Sequence, residues 1–300
     1  MSARRPLRSM LFIPGDSEKK MGKIAACGAD AVILDLEDSV APENKDGARQ
    51  LVRDYLRAHP AGARGPQLWV RINPFDTGLT LADLTAVMAG QPDGILQPKI
   101  DGPADVARLS HYLDAFEAAN GIAAGATAII PVATETATAP FHLGEFAKTS
   151  LPRLAGLTWG AEDLAAAIGA SGNRAADGGW AFTFRMARSL CLLAAHAAGV
   201  PAIETLYADF RDEDGLRASC REARGEGFGG RLAIHPAQVA SINSGFTPDE
   251  DEIAHARRVV DAFASAPGVG TIGIDGKMYD IPHLKAAQRV LDQAGAFGVN

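Results

Sequence analysis

Eight short apolar runs, each closing on or beside a polar residue, constrain this chain's fold more than any other feature. They are SMLFIPG (9–15), AVILDLED (31–38), QLWVRIN (67–73), GILQPK (94–99), TAIIPVAT (127–134), LAGLTWG (154–160), PAIETLY (201–207) and RLAIHP (231–236). Their apolar residues are continuous rather than alternating, the pattern of parallel strands covered on both faces. Amphipathic or Ala-rich stretches lie between them, among them residues 44–58, 103–120 and 181–198. These suit right-handed crossovers from one strand to the next. Eight such units in about 240 residues predict a (β/α)8 TIM barrel over residues 1–245. Periodicity does not count closed strands, so a doubly wound open sheet is the rival.

The pattern changes after Asn243. Thr247-Pro248-Asp249-Glu250 reads as an N-cap, a proline at the first helical position and a capping-box acid, opening a helix to about Ala264. TIGIDGKMYD (271–280) reads as a hairpin turning at Asp275-Gly276, and residues 283–294 as a last helix. Residues 246–300 are therefore expected to form a helix–hairpin–helix extension.

Composition narrows the function classes. With a net charge of -7 there is no polybasic footprint, which argues against nucleic acid as a partner. No apolar stretch reaches the length of a membrane span. The basic start at Arg4, Arg5 and Arg8 leads into an apolar run broken at Pro14-Gly15-Asp16, unlike a signal peptide. Cys27, Cys191 and Cys220 are odd in number and far apart, so neither a disulfide framework nor a zinc pattern is present. A cytoplasmic protein is the expectation.

In a barrel the chemistry sits at the carboxyl ends of the strands. Those ends carry Glu37 and Asp38, Arg71 and Asn73, Lys99, Glu135, Asp163, Glu204 and His235. Each has a structural alternative: Glu135, Glu162 or Asp163 as first-turn helix acids, and His235 as a packed histidine. Two acids on adjacent strands point to a hard divalent ion that keeps several waters, the habit of Mg2+. Arg71, between Val70 and Ile72, needs an anion to face. That anion is a substrate carboxylate, or Glu37 or Asp38. Lys19, Lys20 and Lys23 form a basic cluster that is either a solvated helix face or a seat for phosphate. Gly225–Gly230 matches G-x-G-x-x-G, but it follows a helical stretch and precedes a strand, the reverse of the dinucleotide-binding order.

Taken together, LFIPGDSEKKMGKI, DLEDSV, VRIN, QPK, WGAEDL, AIHPAQV and GKMYDIPHLKAAQRVL resemble the citrate lyase beta-subunit-like family, with its malyl-CoA and citramalyl-CoA lyases. That family falls within the HpcH/HpaI aldolases. The resemblance spans essentially the whole chain. It implies a homotrimer or hexamer using Mg2+, with Mn2+ as a substitute, and binding a CoA thioester and a small 2-oxo acid. By matched motif Glu135 and Asp163 are the implied metal ligands, and Arg71 the partner of the substrate carboxylate and enolate. Phe12, Lys19, Lys23, Ile234 and His235 resemble CoA contacts. Asp280 is similar to a catalytic aspartate that the extension delivers, as a lid, to a neighbouring subunit. Ser17 departs from relatives with Arg at that place. Glu37, Asp38 and Lys99 are expected to support metal waters or Arg71 from behind, with Asp35 deeper and structural. The expected reaction is carbon–carbon cleavage of a 3-hydroxyacyl-CoA. Its rivals are a malyl-CoA thioesterase, a citrate lyase beta subunit working on an acyl carrier, a sugar-acid aldolase and a non-enzymatic barrel.

Overall fold

The computed structural model describes residues 6–299; Arg4 and Arg5 lie outside the described residues. Eight parallel strands follow the predicted runs: β1 (Ser9–Pro14), β2 (Ala31–Asp35), β3 (Gln67–Arg71), β4 (Gly94–Gln97), β5 (Ala128–Pro131), β6 (Leu157–Thr158), β7 (Ala202–Glu204) and β8 (Gly230–Ala233). Their order in the sheet is β5-β4-β3-β2-β1-β8-β7-β6, which is sequence order cut between β5 and β6. That cut is bridged by parallel pairings of Val132 with Thr158 and Ile129 with Leu154, and by Ala133 N–H donating to Thr158 O at 2.7 Å. The sheet closes, and the open-sheet rival fails.

Period two along each strand sorts the side chains. Met10, Ile33, Trp69, Leu96, Ile130, Ile203 and Leu232 fill the barrel. Leu11, Val32, Leu34, Val70, Ile95 and Leu157 face outward against the helices. Those helices are α1 (Glu18–Met21), α2 (Lys45–Ala58), α3 (Thr80–Val87), α4 (Pro103–Asn120), α5 (Ala139–His142), α6 (Ala161–Ala167), α7 (Phe182–Ala197), α8 (Glu213–Glu226) and α9 (Gln238–Gly245). The Gly225–Gly230 stretch connects α8 to β8, as its order required, and Gly227 ends α8 at φ 116°.

The extension comprises α10 (Glu250–Ala264), a hairpin of β9 (Thr271–Ile274) and β10 (Lys277–Asp280), and α11 (Ile281–Phe297). Thr247 is not the cap of α10. Asp249 is, because its carboxylate accepts Glu252 N–H while the Glu252 side chain returns to Asp249 N–H. Thr247 instead binds Arg8 and Asn243 O. The hairpin turns with φ 51° at Asp275 and 75° at Gly276, both left-handed as a two-residue primed turn demands. A small core of Ala256, Val259, Phe263 and Ala287 holds α10 on α11.

The extension is tied to its own barrel by Arg224, which binds Glu252 at 2.7 Å, and by the Arg8 guanidinium 4.4 Å over the Phe297 ring. Gln293 and Phe297 border a cavity with Leu7, Gln67, Pro201 and Gly229, all at the amino ends of strands. The α11 end of the extension thus lies at the mouth opposite the strands' carboxyl ends. No helix among the described residues is long and apolar enough to cross a membrane.

Candidate active site

A cavity of about 990 Å³ opens at the carboxyl ends of the strands. Phe12, Asp35, Asp38, Arg71, Glu135, Asp163, Ile234 and His235 line it, so most of the sequence-predicted set meets there.

Inward parity explains the centre. Residues 31, 33 and 35 of β2 share one face, as do 69 and 71 of β3, and Asp35 pairs with Arg71 in register. Arg71 Nε and Nη2 each donate to Asp35 at 2.7 Å, a bidentate clamp. Its Nη1 stands 2.8 Å from Glu37 Oε2, at ion-pair distance but without hydrogen-bond alignment. Its Cζ lies 4.8 Å over the Phe12 ring. The arginine is therefore held by Asp35 and Glu37, while Asp38 is 4.0 Å away. Burial works against charge at Arg71, yet the Asp35 bonds and the surrounding carboxylates keep its pKa above the usual guanidinium value. Burial also works against the Asp35 carboxylate, but Arg71 outweighs it and holds the pKa below the ordinary range.

Lys99 forms the second hub. It sits at φ 50°, rare outside glycine, and its N–H donates to Glu135 Oε2 at 2.7 Å. Its ammonium donates to Glu37 Oε1 at 2.6 Å and reaches Asp38 at 3.1 Å and Asp163 at 3.4 Å. Glu37 bridges the two cations. Its pKa is raised by burial, with Arg71 and Lys99 opposing.

Glu135 lies in the loop after β5, outside any helix, so the first-turn alternative does not apply to it. Asp163 does sit in the first turn of α6. Burial and the Asp163 charge push the Glu135 carboxyl up to about 8. Only Oε2 of Glu135 is hydrogen-bonded among the described residues. A Cβ at Gly160 would stand 2.8 Å from Glu135 Cγ, so any larger residue there would displace that carboxylate. No set of three or more His, Cys, Asp or Glu positioned to share an ion occurs among the described residues. Two oxygen donors without thiolate or imidazole fit a hard cation that takes its other ligands from water and substrate.

Several expectations change. Lys20 and Lys23 line the cavity but Lys19 does not, because successive residues of a short helix point about 100° apart. Glu204 is not part of the rim. It accepts Trp159 Nε1 and Arg188 Nε, both at 2.6 Å, toward the helix layer. Asn73 is a buried bracket between Leu36 O and Asp83. Asp280 caps α11 through His283 and is absent from the cavity of its own chain. Sequence reasoning missed Trp159, Thr205 and Leu206 as walls; Trp159 closing β6 was the available signal.

The HpcH/HpaI aldolase/citrate lyase family model matches residues 8–236, and that of the TIM-barrel C–C bond lyases matches residues 194–299. A (3S)-malyl-CoA thioesterase of Cereibacter sphaeroides is 36% identical, with 97% of this chain and 95% of that protein covered. The mitochondrial citramalyl-CoA lyase of Rattus norvegicus is 33% identical over 96% of this chain and 86% of its own. The crystal structure of protein CitE from Mycobacterium tuberculosis, in complex with magnesium, acetoacetate and coenzyme A, superposes with a TM-score of 0.77 at 33% identity, covering 97% of this chain and 98% of that one. With the barrel closed, the strand-end cavity built and both halves of the sequence matched, this chain belongs to the HpcH/HpaI aldolase/citrate lyase family.

Proposed function

We propose that this chain is a Mg2+-dependent lyase that cleaves a short 3-hydroxyacyl-CoA, malyl-CoA or citramalyl-CoA, to acetyl-CoA and a 2-oxo acid, or runs the reverse condensation. One observation carries the reading. A single cavity is lined both by the carboxylate pair Glu135 and Asp163 and by a guanidinium clamped between two buried acids.

The C2–C3 bond breaks, its electrons pass to the thioester as an enolate, and C3 becomes the carbonyl of the 2-oxo acid. The hydroxyl loses a proton and C2 gains one, so cleavage is proton-neutral. Glu135 and Asp163 would hold Mg2+, or Mn2+ in its place, which supplies Lewis acidity to the substrate hydroxyl and carboxylate. Arg71 offers fixed positive charge where the enolate oxygen gains negative charge. Asp35 and Glu37 keep that guanidinium from turning, so little reorganisation is needed. Lys99 aims Glu135 through its N–H and steadies Glu37 through its ammonium. The proton at C2 falls to Asp280 from the extension of a neighbouring copy. That assignment is supported by the own-chain extension meeting the far mouth.

The relatives' names favour a thioester but differ in its fate, and hydrolysis to malate and CoA is the second reading. One assay separates them: malyl-CoA and citramalyl-CoA with Mg2+, with and without EDTA, following 2-oxo acid and free thiol independently. The lyase gives 2-oxo acid with thioester retained, abolished by chelation. Free thiol without 2-oxo acid contradicts it and establishes hydrolysis.

A further inference from the structure

Asp280 does not stand alone on the extension. It ends β10 and caps α11, whose third residue is His283. A capping box normally places Glu or Gln there, with a side-chain oxygen returning to the cap's own N–H. The imidazole makes a different bond. Its Nδ1 stands 2.5 Å from Asp280 Oδ1 and 3.3 Å from Asp280 N. A carboxylate oxygen and a ring nitrogen that close need a proton between them, so Nδ1–H donates to Oδ1 and the longer contact yields. Oδ1 also accepts His283 N–H at 3.4 Å. Oδ2 of Asp280 accepts no hydrogen bond among the described residues.

The ring is itself held. Tyr279 of β10 meets it edge-on, with centroids 5.4 Å apart and planes at 72°, and His255 of α10 flanks Tyr279 at 5.7 Å. Tyr279 packs on the small core of the extension. Three elements, α10, β10 and α11, thus fix one imidazole against one carboxylate. That is more than a helix start requires, since the His283 backbone N–H already supplies the cap bond. The pair is nonetheless presented rather than buried. The side chains of Asp280 and His283 are 35% and 52% exposed. Met278 and Ile281, both exposed, flank Asp280 in the chain.

Proton transfer at carbon depends on aim. A carboxylate free to rotate loses that freedom only on meeting the substrate, whereas one with an oxygen tied down has lost it beforehand. We propose that His283 is a positioning residue: its Nδ1–H ties down Oδ1 of Asp280 and so presents Oδ2 as the oxygen that exchanges the C2 proton in the neighbouring copy's cavity. The proposal rests on the role given to Asp280 in the lyase reading above. In condensation the C2–H bond breaks, its proton passes to Oδ2 and its electron pair stays in the enolate. Cleavage reverses this, and Nδ1 keeps its proton throughout.

The test measures 2-oxo acid release from malyl-CoA and citramalyl-CoA with Mg2+ by the full chain, by His283→Ala and by His283→Asn, with melting temperatures alongside. Position 283 is exposed and alanine keeps the backbone N–H of the cap, so both variants should melt within about 3 °C of wild type. In His283→Ala kcat is expected to fall about tenfold or more, with KM changed less than about twofold. His283→Asn places an amide N–H near the position of Nδ1–H and should recover most of the lost kcat. A histidine that only starts the helix predicts otherwise, with activity following melting temperature. Wild-type kcat in His283→Ala, a loss that asparagine does not recover, or a loss confined to KM overturns the proposal. Failure of the lyase reading shows in the wild type itself, which would release no 2-oxo acid from either thioester, whereas failure of the proposal leaves the wild type active.

Discussion

Arg71 depends on its neighbours to remain where it is. Removing one partner of a buried pair strands the other charge, which costs about 3–5 kcal/mol. Asp35→Asn is therefore expected to lower the melting temperature more than Asp38→Asn, whose side chain is 57% exposed. The pH dependence has a defined sign. The native Asp35 pKa is depressed, so its contribution is present above the unfolded carboxylate value and is lost as pH falls through the native one. Acid should thus narrow the stability gap between the wild type and Asp35→Asn, and a gap constant from neutral pH down to pH 2 would contradict the clamp. Glu37→Gln should weaken Mg2+ affinity or activity; unchanged values of both would refute the support expected of Glu37 for the metal and Arg71. At this scale the sequence was partly legible. Arg71 inside an apolar run announced an anion, but only the closed barrel's parity shows that Asp35 is the nearest one. The same parity turns Glu204 outward, although it too ends a strand.

Elements place these groups through their ends more than through their lengths. β6 spans two residues, yet the turn after it carries both Gly160 and Asp163. Gly160→Ala should press on Glu135 and reduce Mg2+ affinity measured by calorimetry, with a melting temperature shifted far less than by Asp35→Asn. A full loss of folding would mean that the close contact is structural alone. Helices α7 and α8 bury Cys191 and Cys220, and burial pushes both thiols up, Cys220 to about 11. Cys27, in the loop after β1, lines the cavity. A thiol reagent at pH 8 should modify one cysteine per native chain and three after denaturation, and CoA should slow the first. The strand runs and the hairpin were readable because continuous apolar stretches and Asp-Gly turns have local causes. The α10 cap was misread because Thr247 and Asp249 are both good caps, and tertiary contact with Arg8 decides between them.

Across the whole molecule, the chain carries its candidate site at one mouth of the barrel and the C-terminal end of α11 at the other. Asp280 does not line its own cavity, and the role proposed for it would need a second copy. No local pattern in the sequence encodes that separation, because it arises from where α11 docks on the strands' amino ends. The role proposed for Asp280 comes from the resemblance, and its absence from the cavity of its own chain is what makes that proposal call for a second copy. The most direct measurement mixes two variants, Asp280→Asn and Arg71→Lys, each expected to release little 2-oxo acid from malyl-CoA alone. After dissociation and reassembly, a site pairing an intact barrel with an intact extension should form in about one quarter of random pairings. Mg2+-dependent 2-oxo acid release should return to about that fraction of wild type. Mixtures as inactive as their components would contradict a lyase site completed by two copies.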